Sequence, residues 1–258
     1  MKKPDELRVA IEVAKKAGKL ILRQNYSKKI IGFKSKVNFV TNVDKNSEKL
    51  ITNLLLKEFP DYGILAEEGT KEKGENVWII DPLDGTTNFM HGYPFFCVSI
   101  ALVKNGKQFL GVVYDPNKNE IFYALNKKGA FLNENKIEAS KTKYIHSSLL
   151  ATGFYYDRKE IMERTVKKIG EFLSLGIQGI RRDGAAALDL CYVACGRFDG
   201  YWEYILSPWD FAAGSLIAKE AGAIVTTTEG KQIEMKKNGI LAANKFLYKK
   251  MLEIVSKE

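Results

Sequence analysis

The spacing of apolar positions divides the chain into stretches of different texture. From about residue 5 to residue 26, Leu7, Ala10, Ile11, Ala14, Ala17, Leu20 and Ile21 recur three and four apart, which predicts an amphipathic helix with one buried face. A second helical pattern runs from about Asp44 to Phe59 through Leu50, Ile51, Leu54 and Leu55. Between them Ile30, Ile31 and Phe33, then Val37, Phe39 and Val40, read as two short strands around a Gly/Lys/Ser turn. From Ile64 to Ile137 the pattern shortens to β-rich runs: ILA, VWII, FFCVSIALV, QFLGVVYD, EIFYAL and GAFLN. Asn105-Gly106 is a tight-hairpin dipeptide, and Asp115-Pro116-Asn117 and Lys128-Gly129 punctuate the runs that follow. This stretch predicts an antiparallel meander.

After a polar segment near Glu138 to Lys143 the chain alternates strands and helices. The strand SSLLATG precedes a helix from about Lys159 to Leu175, the strand GIQGI a helix over 185–195, and the strand RFDGYWE a helix over 208–221, with a short GAIVTTT strand last. That alternation is α/β texture, set against the α+β character of the first half. No internal repeat or low-complexity linker intervenes, so residues 1–140 and 141–258 are expected to be sub-cores sharing an interface.

Composition narrows the class of protein. In a chain of 258 residues, 45 % hydrophobic and 28 % charged, the balance is that of a soluble globular enzyme large enough to bury an active site. No apolar run approaches the ~20 residues of a membrane span, and MKKPDELRVAIEVAKKAG mixes charge with apolar residues where a secretory segment would be continuous. A cytoplasmic location, with no membrane partner, is expected. Cys97, Cys191 and Cys195 sit among apolar or small residues, as buried thiols do in a reducing compartment. The two histidines, His91 and His146, do not supply Cys/His zinc spacing, so any metal must be held by oxygen. A formal net charge of +9 raises nucleic acid as a partner, but the lysines are spread along the chain without a dense basic run. General attraction for anionic substrates accounts for the charge, and nucleic acid is not expected.

The chemistry concentrates in VWIIDPLDGTTN, residues 77–88. Asp81 ends an apolar run, Pro82 interrupts an ordinary ladder, and Asp84 follows three residues after Asp81. Two carboxylates held ~4 Å apart repel by roughly 4 kcal/mol at an effective dielectric of about 20, so a fold that brings them together must supply a proton or a cation. The Asp-Gly-Thr-Thr-Asn segment that follows is either a polar turn or a loop whose N–H groups and hydroxyls hold phosphate oxygens. Glu67 follows Ile64-Leu65-Ala66 as Asp81 follows Val77 to Ile80, which points to two neighbouring strands ending in acids on one sheet edge. Ser207-Pro208-Trp209-Asp210 reads as a capping box, and Asp44 as a favourable acid at a helix start.

These segments resemble the inositol monophosphatase family, part of the magnesium-dependent, lithium-sensitive sugar phosphatase superfamily that also contains fructose-1,6-bisphosphatases. The resemblance is carried by Ala66-Glu67-Glu68, by Trp78 to Phe89, by Pro208-Trp209-Asp210-Phe211-Ala212-Ala213-Gly214 and by Glu220-Ala221-Gly222, in matching order from about residue 5 to 250. It implies a layered αβαβα sandwich, a cytoplasmic homodimer, and two or three Mg²⁺ ions bound by Glu67, Asp81, Asp84, Asp210 and the backbone carbonyl of Leu83. All-oxygen ligation suits such a hard cation. It further implies that Asp44 and Thr86, with Glu67, orient and deprotonate an attacking water. Gly85 and Thr86 would hold phosphate through backbone N–H groups, and Gly184, Ala185, Ala186 and Glu203 would meet the polyol. The implied reaction is hydrolysis of inositol 1-phosphate, with fructose-1,6-bisphosphatase or dual sugar-phosphatase activity as the alternative.

Two other readings compete. Leu83-Asp84-Gly85-Thr86 mimics the nucleophile loop of haloacid-dehalogenase phosphatases, but that chemistry needs acids two apart and Pro82 stands at the required position. A regulatory role in an RNA or transcription complex belongs to some bacterial relatives of the family and would fit a basic chain. Asp183, in Gly179-Ile180-Arg181-Arg182-Asp183-Gly184, is charged where the family pattern is small or uncharged. Arg181 and Arg182 therefore either bind a second phosphate or pair with Asp183 and Asp189; Arg181 is counted among the substrate contacts.

Overall fold

The computed structural model describes residues 5–24, 31–35, 38–69, 71–72, 74–155 and 159–257. Helix α1 (Asp5–Gln24) buries Leu7, Ala10, Ala14, Ala17 and Ile21 on one face. The antiparallel pair β1 (Ile31–Ser35) and β2 (Asn38–Thr41) leads into α2 (Asn42–Glu58); Ile30 and Val37, expected in those strands, lie outside the described residues. The second helix begins two residues before Asp44 because Thr41 caps it, trading hydrogen bonds with Asp44 in a capping box.

The main sheet contains β3 (Gly63–Ala66), β4 (Lys71–Glu72), β5 (Asn76–Asp84), β6 (Cys97–Lys104), β7 (Lys107–Asp115), β8 (Glu120–Leu125), β9 (Ala130–Leu132) and β10 (Asn135–Ile137), with α3 (Thr86–His91) between β5 and β6. Its order is β10-β9-β8-β7-β6-β5-β3-β4. From β5 to β10 it is the expected antiparallel meander, and Asn105 and Gly106 make the β6–β7 hairpin with φ of 49° and 71°. At the other end β3 runs parallel to β5, Ala66 opposite Ile80, because β4 doubles back antiparallel to β3 and lets β5 start from the same side. Nor does β5 stop at Asp81. It continues to Asp84 with a register shift against β6 that absorbs Pro82.

A second sheet, order β12-β11-β13-β15-β14, is built from β11 (Leu149–Thr152), β12 (Gly179–Arg181), β13 (Gly200–Leu206), β14 (Ile224–Thr226) and β15 (Asn238–Ala243). Helices α4 (Glu160–Ser174), α5 (Ala186–Ala194), α6 (Pro208–Glu220) and α7 (Tyr248–Val255) accompany it. β11 is parallel to β12 and β13, whereas β15 is antiparallel to both β13 and β14, so this sheet is mixed.

Strand alternation builds the layers. Trp78, Ile80, Ile100, Leu102 and Val112 pack against α1 and α2, while Ile79, Ala101 and Val113 turn to the opposite core with α5 and α6. Strands buried on both faces read as continuous apolar runs, and α6 buries most of its circumference for the same reason. Leu150, Trp202 and Leu241 of the second sheet meet Phe172 of α4 and Met251 of α7 on its far side. The result is a layered αβαβα sandwich with α5 and α6 in the middle. Among the described residues no helix is long and apolar enough to cross a membrane.

Candidate active site

The parallel pairing of β3 with β5 decides where the acids go. Ala66 lies opposite Ile80, and Glu67 N donates to Ile80 O at 3.2 Å, so Glu67, just past the end of β3, comes beside Asp81, which lies within β5. Asp84 leaves the end of β5 three residues later. Asp210 enters from the first turn of α6, where its Oδ2 accepts from Ser207 N at 2.7 Å and completes a capping box. Glu67, Asp81, Leu83, Asp84, Gly85, Thr86, Gly184, Ala185, Ala186, Glu203 and Asp210 all line one cavity of about 600 Å³.

Local hydrogen bonds hold this wall in place. Asp81 Oδ1 accepts from Leu83 N at 3.0 Å, and Ser47 Oγ donates to Pro82 O at 2.9 Å. Asp84 Oδ2 accepts from Ala187 N at 2.7 Å, in the first turn of α5, with the Cys97 thiol 3.8 Å away. Gly85 sits at φ 93°, and a Cβ there would come 2.9 Å from Phe95 O; only glycine fits this turn without strain. Asp44 is buried behind the wall rather than in it. Its Oδ2 accepts from Thr41 N at 2.8 Å and from the Thr41 hydroxyl, and its Oδ1 accepts from Thr86 Oγ1 at 2.8 Å. Glu203, 8 % exposed, accepts the Tyr201 hydroxyl at 2.7 Å.

The charges in this wall are unbalanced. Burial, then the nearby charges of Glu67, Asp84 and Asp210, drives the Asp81 carboxyl well above the usual carboxylate range. Burial, then the charges of Glu67, Asp84 and Glu203, does this to Asp210, with the Ser207 N–H working in the opposite direction. Asp84 is pushed up to about 7, chiefly by burial, although the Ala187 N–H works in the opposite direction. Such a set of mutually repelling oxygen donors fits a hard divalent cation. Among the described residues no three His, Cys, Asp or Glu side chains already close on a single point as a metal cluster. Magnesium keeps several waters and uses one or two carboxylates with substrate phosphate, so carboxylates spread along a cavity wall suit it better than a closed cage.

Arg181 is exposed, its Nη1 reaching back to Ile180 O at 3.4 Å, and it does not line the cavity. Its neighbour Arg182 does, together with Phe154, Tyr155, Asp189, Trp209 and Lys237. Sequence spacing gave no signal for Tyr155 or Lys237, which reach the cavity on loops from distant parts of the chain. Asp189 is 1 % exposed, and its Oδ1 has no hydrogen-bond partner among the described residues. Asn88 ties two walls together, its Nδ2 donating to Phe95 O and to Asp183 O, each at 2.7 Å.

Comparison with known proteins adds three likenesses and a family. Residues 3–258 match the profile of the inositol monophosphatase family. The chain is 44 % identical to the Nus factor SuhB of Vibrio cholerae over 243 residues, 92 % of this chain and 91 % of that protein. It superposes on the extragenic suppressor protein SuhB of Bartonella henselae with a TM-score of 0.94 at 37 % identity, covering 98 % of this chain and 99 % of that one. Against the Thermotoga maritima IMPase the TM-score is 0.89 at 37 % identity, over 98 % and 97 % of the two chains.

Proposed function

The chain belongs to the inositol monophosphatase family, and we propose that it is a Mg²⁺-dependent phosphomonoesterase hydrolysing inositol 1-phosphate by direct attack of water on phosphorus. The observation that carries this reading is the convergence of Glu67, Asp81, Asp84 and Asp210 on one cavity. Two or three Mg²⁺ ions, held by those side chains and the Leu83 carbonyl, would polarise the phosphoryl group, acidify water and offset charge on the departing alkoxide.

The chain's own groups handle the rest. Both oxygens of Asp44 are engaged, one by Thr41 and one by the Thr86 hydroxyl, which lies 2.8 Å from Asp44 and 3.1 Å from Leu83 O; with its proton on Asp44, the shorter of the two, the Thr86 oxygen keeps its lone pairs to accept from a water. Asp44 then takes the proton that the water loses, through Thr86, and Glu67 would act on the same water through the cation it helps to hold. Gly85 and Thr86 present backbone N–H groups at the cavity wall for phosphate oxygens. Glu203 offers a carboxylate to polyol hydroxyls, and Gly184, Ala185 and Ala186 leave room for the ring.

The test is hydrolysis of inositol 1-phosphate with Mg²⁺, repeated in excess chelator and with Asp81→Asn. Activity should vanish in both controls. Full activity in chelator would refute the metal assignment, and a phosphoaspartate trapped at Asp84 would refute direct attack by water. Hydrolysis of fructose 1,6-bisphosphate in place of inositol 1-phosphate would move the substrate while keeping the mechanism. The reading includes a cytoplasmic location and a homodimer, the first checked by cell fractionation and the second by light scattering on the purified protein.

A relative named as a Nus factor at 44 % identity, together with the net charge of +9, favours a second reading in which the chain also joins a transcription complex. The two roles are compatible. Binding to RNA that weakens steeply between 50 and 200 mM salt, and that Asp81→Asn retains, would support it.

A further inference from the structure

The end of the second sheet away from the acids has a cleft of its own. Residues 140–148 lead into β11 and residues 244–246 follow β15. Because β11 is parallel to β13 and β15 antiparallel to it, both segments lie at one end of the sheet, while Gly153 to Tyr155 and Lys237 line the active-site cavity at the other. The cleft, about 340 Å³, is walled by Lys136, Ser140, Lys141, Glu220, Lys245 and Phe246.

One side chain fixes both walls. Asn244, 1 % exposed, donates to Ser140 Oγ at 2.7 Å and to Thr142 O at 3.0 Å, and accepts from Phe246 N at 2.9 Å and Leu247 N at 3.0 Å. On that base stand rings and cations. Lys245 Nζ is 5.1 Å and Lys143 Nζ 5.8 Å from the ring centre of Phe246, which is 41 % exposed. Tyr144, next to Lys143, is 65 % exposed and stacks on His146 with ring centres 5.5 Å apart and planes 11° apart. Among the described residues the large aromatic side chains that stand exposed are Tyr93, Tyr144 and Phe246, and two of the three are here.

The acids beside these groups are already engaged. Glu220 accepts from the N–H groups of Lys127, Lys128 and Gly129 at 2.7 to 3.1 Å, and Glu138 pairs with Lys141 at 3.5 Å. Among the described residues Lys136, Lys143 and Lys245 form no ion pair. Lysines that look scattered along the chain are gathered here by folding. Exposed rings flanked by ammonium groups suit a strand with bare bases, since any base can stack on a ring face while its phosphates meet the cations. A duplex keeps its base faces in its own stack.

We propose that Tyr144 and Phe246, with Lys136, Lys143 and Lys245, form a binding surface for single-stranded RNA, separate from the active site. This rests on the reading in which the chain joins a transcription complex, and it names the surface and the form of RNA.

The experiment measures Kd by fluorescence anisotropy with a fluorescein-labelled oligoadenylate about twelve nucleotides long, within the reach of a single-strand platform. Tyr144→Ala and Phe246→Ala should each raise Kd by roughly 5- to 150-fold. The Lys143→Ala/Lys245→Ala variant should also bind more weakly, and the slope of log Kd against log salt should fall by about 1.4. Lys15→Ala/Lys19→Ala removes the same charge from the exposed side of α1 and should leave that slope unchanged. The oligoadenylate paired with oligouridylate should bind no better than the single strand binds to Phe246→Ala. Melting temperatures near that of the wild type show that the variants fold, and the exposed lysine pair keeps the test valid should a ring variant fail to do so. RNA binding that the ring and Lys143/Lys245 variants retain, or that the α1 control loses equally, overturns this surface and leaves the transcription reading standing. A duplex bound as tightly as the single strand overturns stacking. No RNA binding by the wild type even at 50 mM salt overturns the surface and removes the RNA support from that reading as well.

Discussion

Stripping divalent ions from the protein should make its stability fall as pH rises from 4 to 7, the reverse of ordinary acid denaturation. The cause is the carboxylate wall. Asp84 titrates near 7 in the folded, metal-free chain against an ordinary 3.8, so between those values the folded state holds a proton that the unfolded state has released. Stability is then fully present below about pH 4 and is lost as pH climbs through 7. At 1.36 kcal/mol per pH unit the Asp84 contribution is on the order of 4 kcal/mol, or roughly 8–16 °C in melting temperature for a chain of this size. Asp81 and Asp210 are shifted in the same direction and deepen the loss.

Magnesium should reverse the effect where the carboxylates are charged. At a hundred times its dissociation constant a ligand adds about 2.7 kcal/mol, so Mg²⁺ should restore melting temperature at pH 7.5 and do little at pH 4.5, where protons occupy the same oxygens. Thermal melts followed by circular dichroism in chelator and in Mg²⁺, from pH 4.5 to 8, measure both arms. Asp84→Asn serves as the internal control. It can still accept from Ala187 N but carries no charge, so in chelator it should melt above the wild type at pH 7.5 and gain less from Mg²⁺. A chelated wild type whose melting temperature is flat or rising from pH 5 to 7.5, or one indifferent to Mg²⁺, would refute the reasoning.

Asp44→Asn should lower kcat by roughly 10²- to 10⁴-fold with little change in KM or melting temperature, since an amide oxygen can still accept from Thr41; steady-state kinetics and a melt check both. Asp210→Asn should abolish activity yet fold, whereas Asp210→Ala should also lose about 1 kcal/mol of stability with its cap, a difference that parallel urea melts resolve. Gly153→Ala would drive a methyl into the Glu203 carboxylate, so it should raise KM for inositol 1-phosphate with the chain still folded; an unchanged KM would count against Glu203 as a substrate contact. Asn88→Ala removes two donors from buried or half-buried carbonyls and should cost about 1–3 kcal/mol, read as a lower urea midpoint.

Much of the fold is legible because periodicity reports burial. α1, α2 and the meander from β5 to β10 follow from apolar spacing and from Asn105-Gly106. The direction of β3 does not, because an apolar run has no polarity of its own and only the hairpin with β4 sets it. Strand β15 and helix α7 pass unread: Ile240 to Ala243 is a short apolar run beside Lys236 and Lys237, and its place between β13 and β14 depends on contacts far away in sequence. The acids of the wall are legible as strand-end and cap residues. The cations that line the cavity are not, since Arg181 and Arg182 look alike on paper and only the turn after β12 decides which one faces the cavity.

Four aspartates serve folding and site at once, and they do so in the same way. Asp44 accepts from Thr41 N, Asp81 from Leu83 N, Asp84 from Ala187 N and Asp210 from Ser207 N. Each carboxylate is therefore tied through one oxygen to a backbone N–H that a turn or helix end, its own or, for Asp84, that of α5, would otherwise leave unpaired. That tether fixes the side chain before any ligand arrives, so the conformational entropy of assembling the site is lost during folding rather than at each binding event. The second oxygen is the one that a cation, or the Thr86 hydroxyl at Asp44, can take. Repulsion among the carboxylates then opposes folding until a cation joins them, so the fold bears the electrostatic cost of the site in its metal-free form. A mutation that removes charge while keeping the tether should stabilise that form and disable the catalyst. One that removes the tether should damage both.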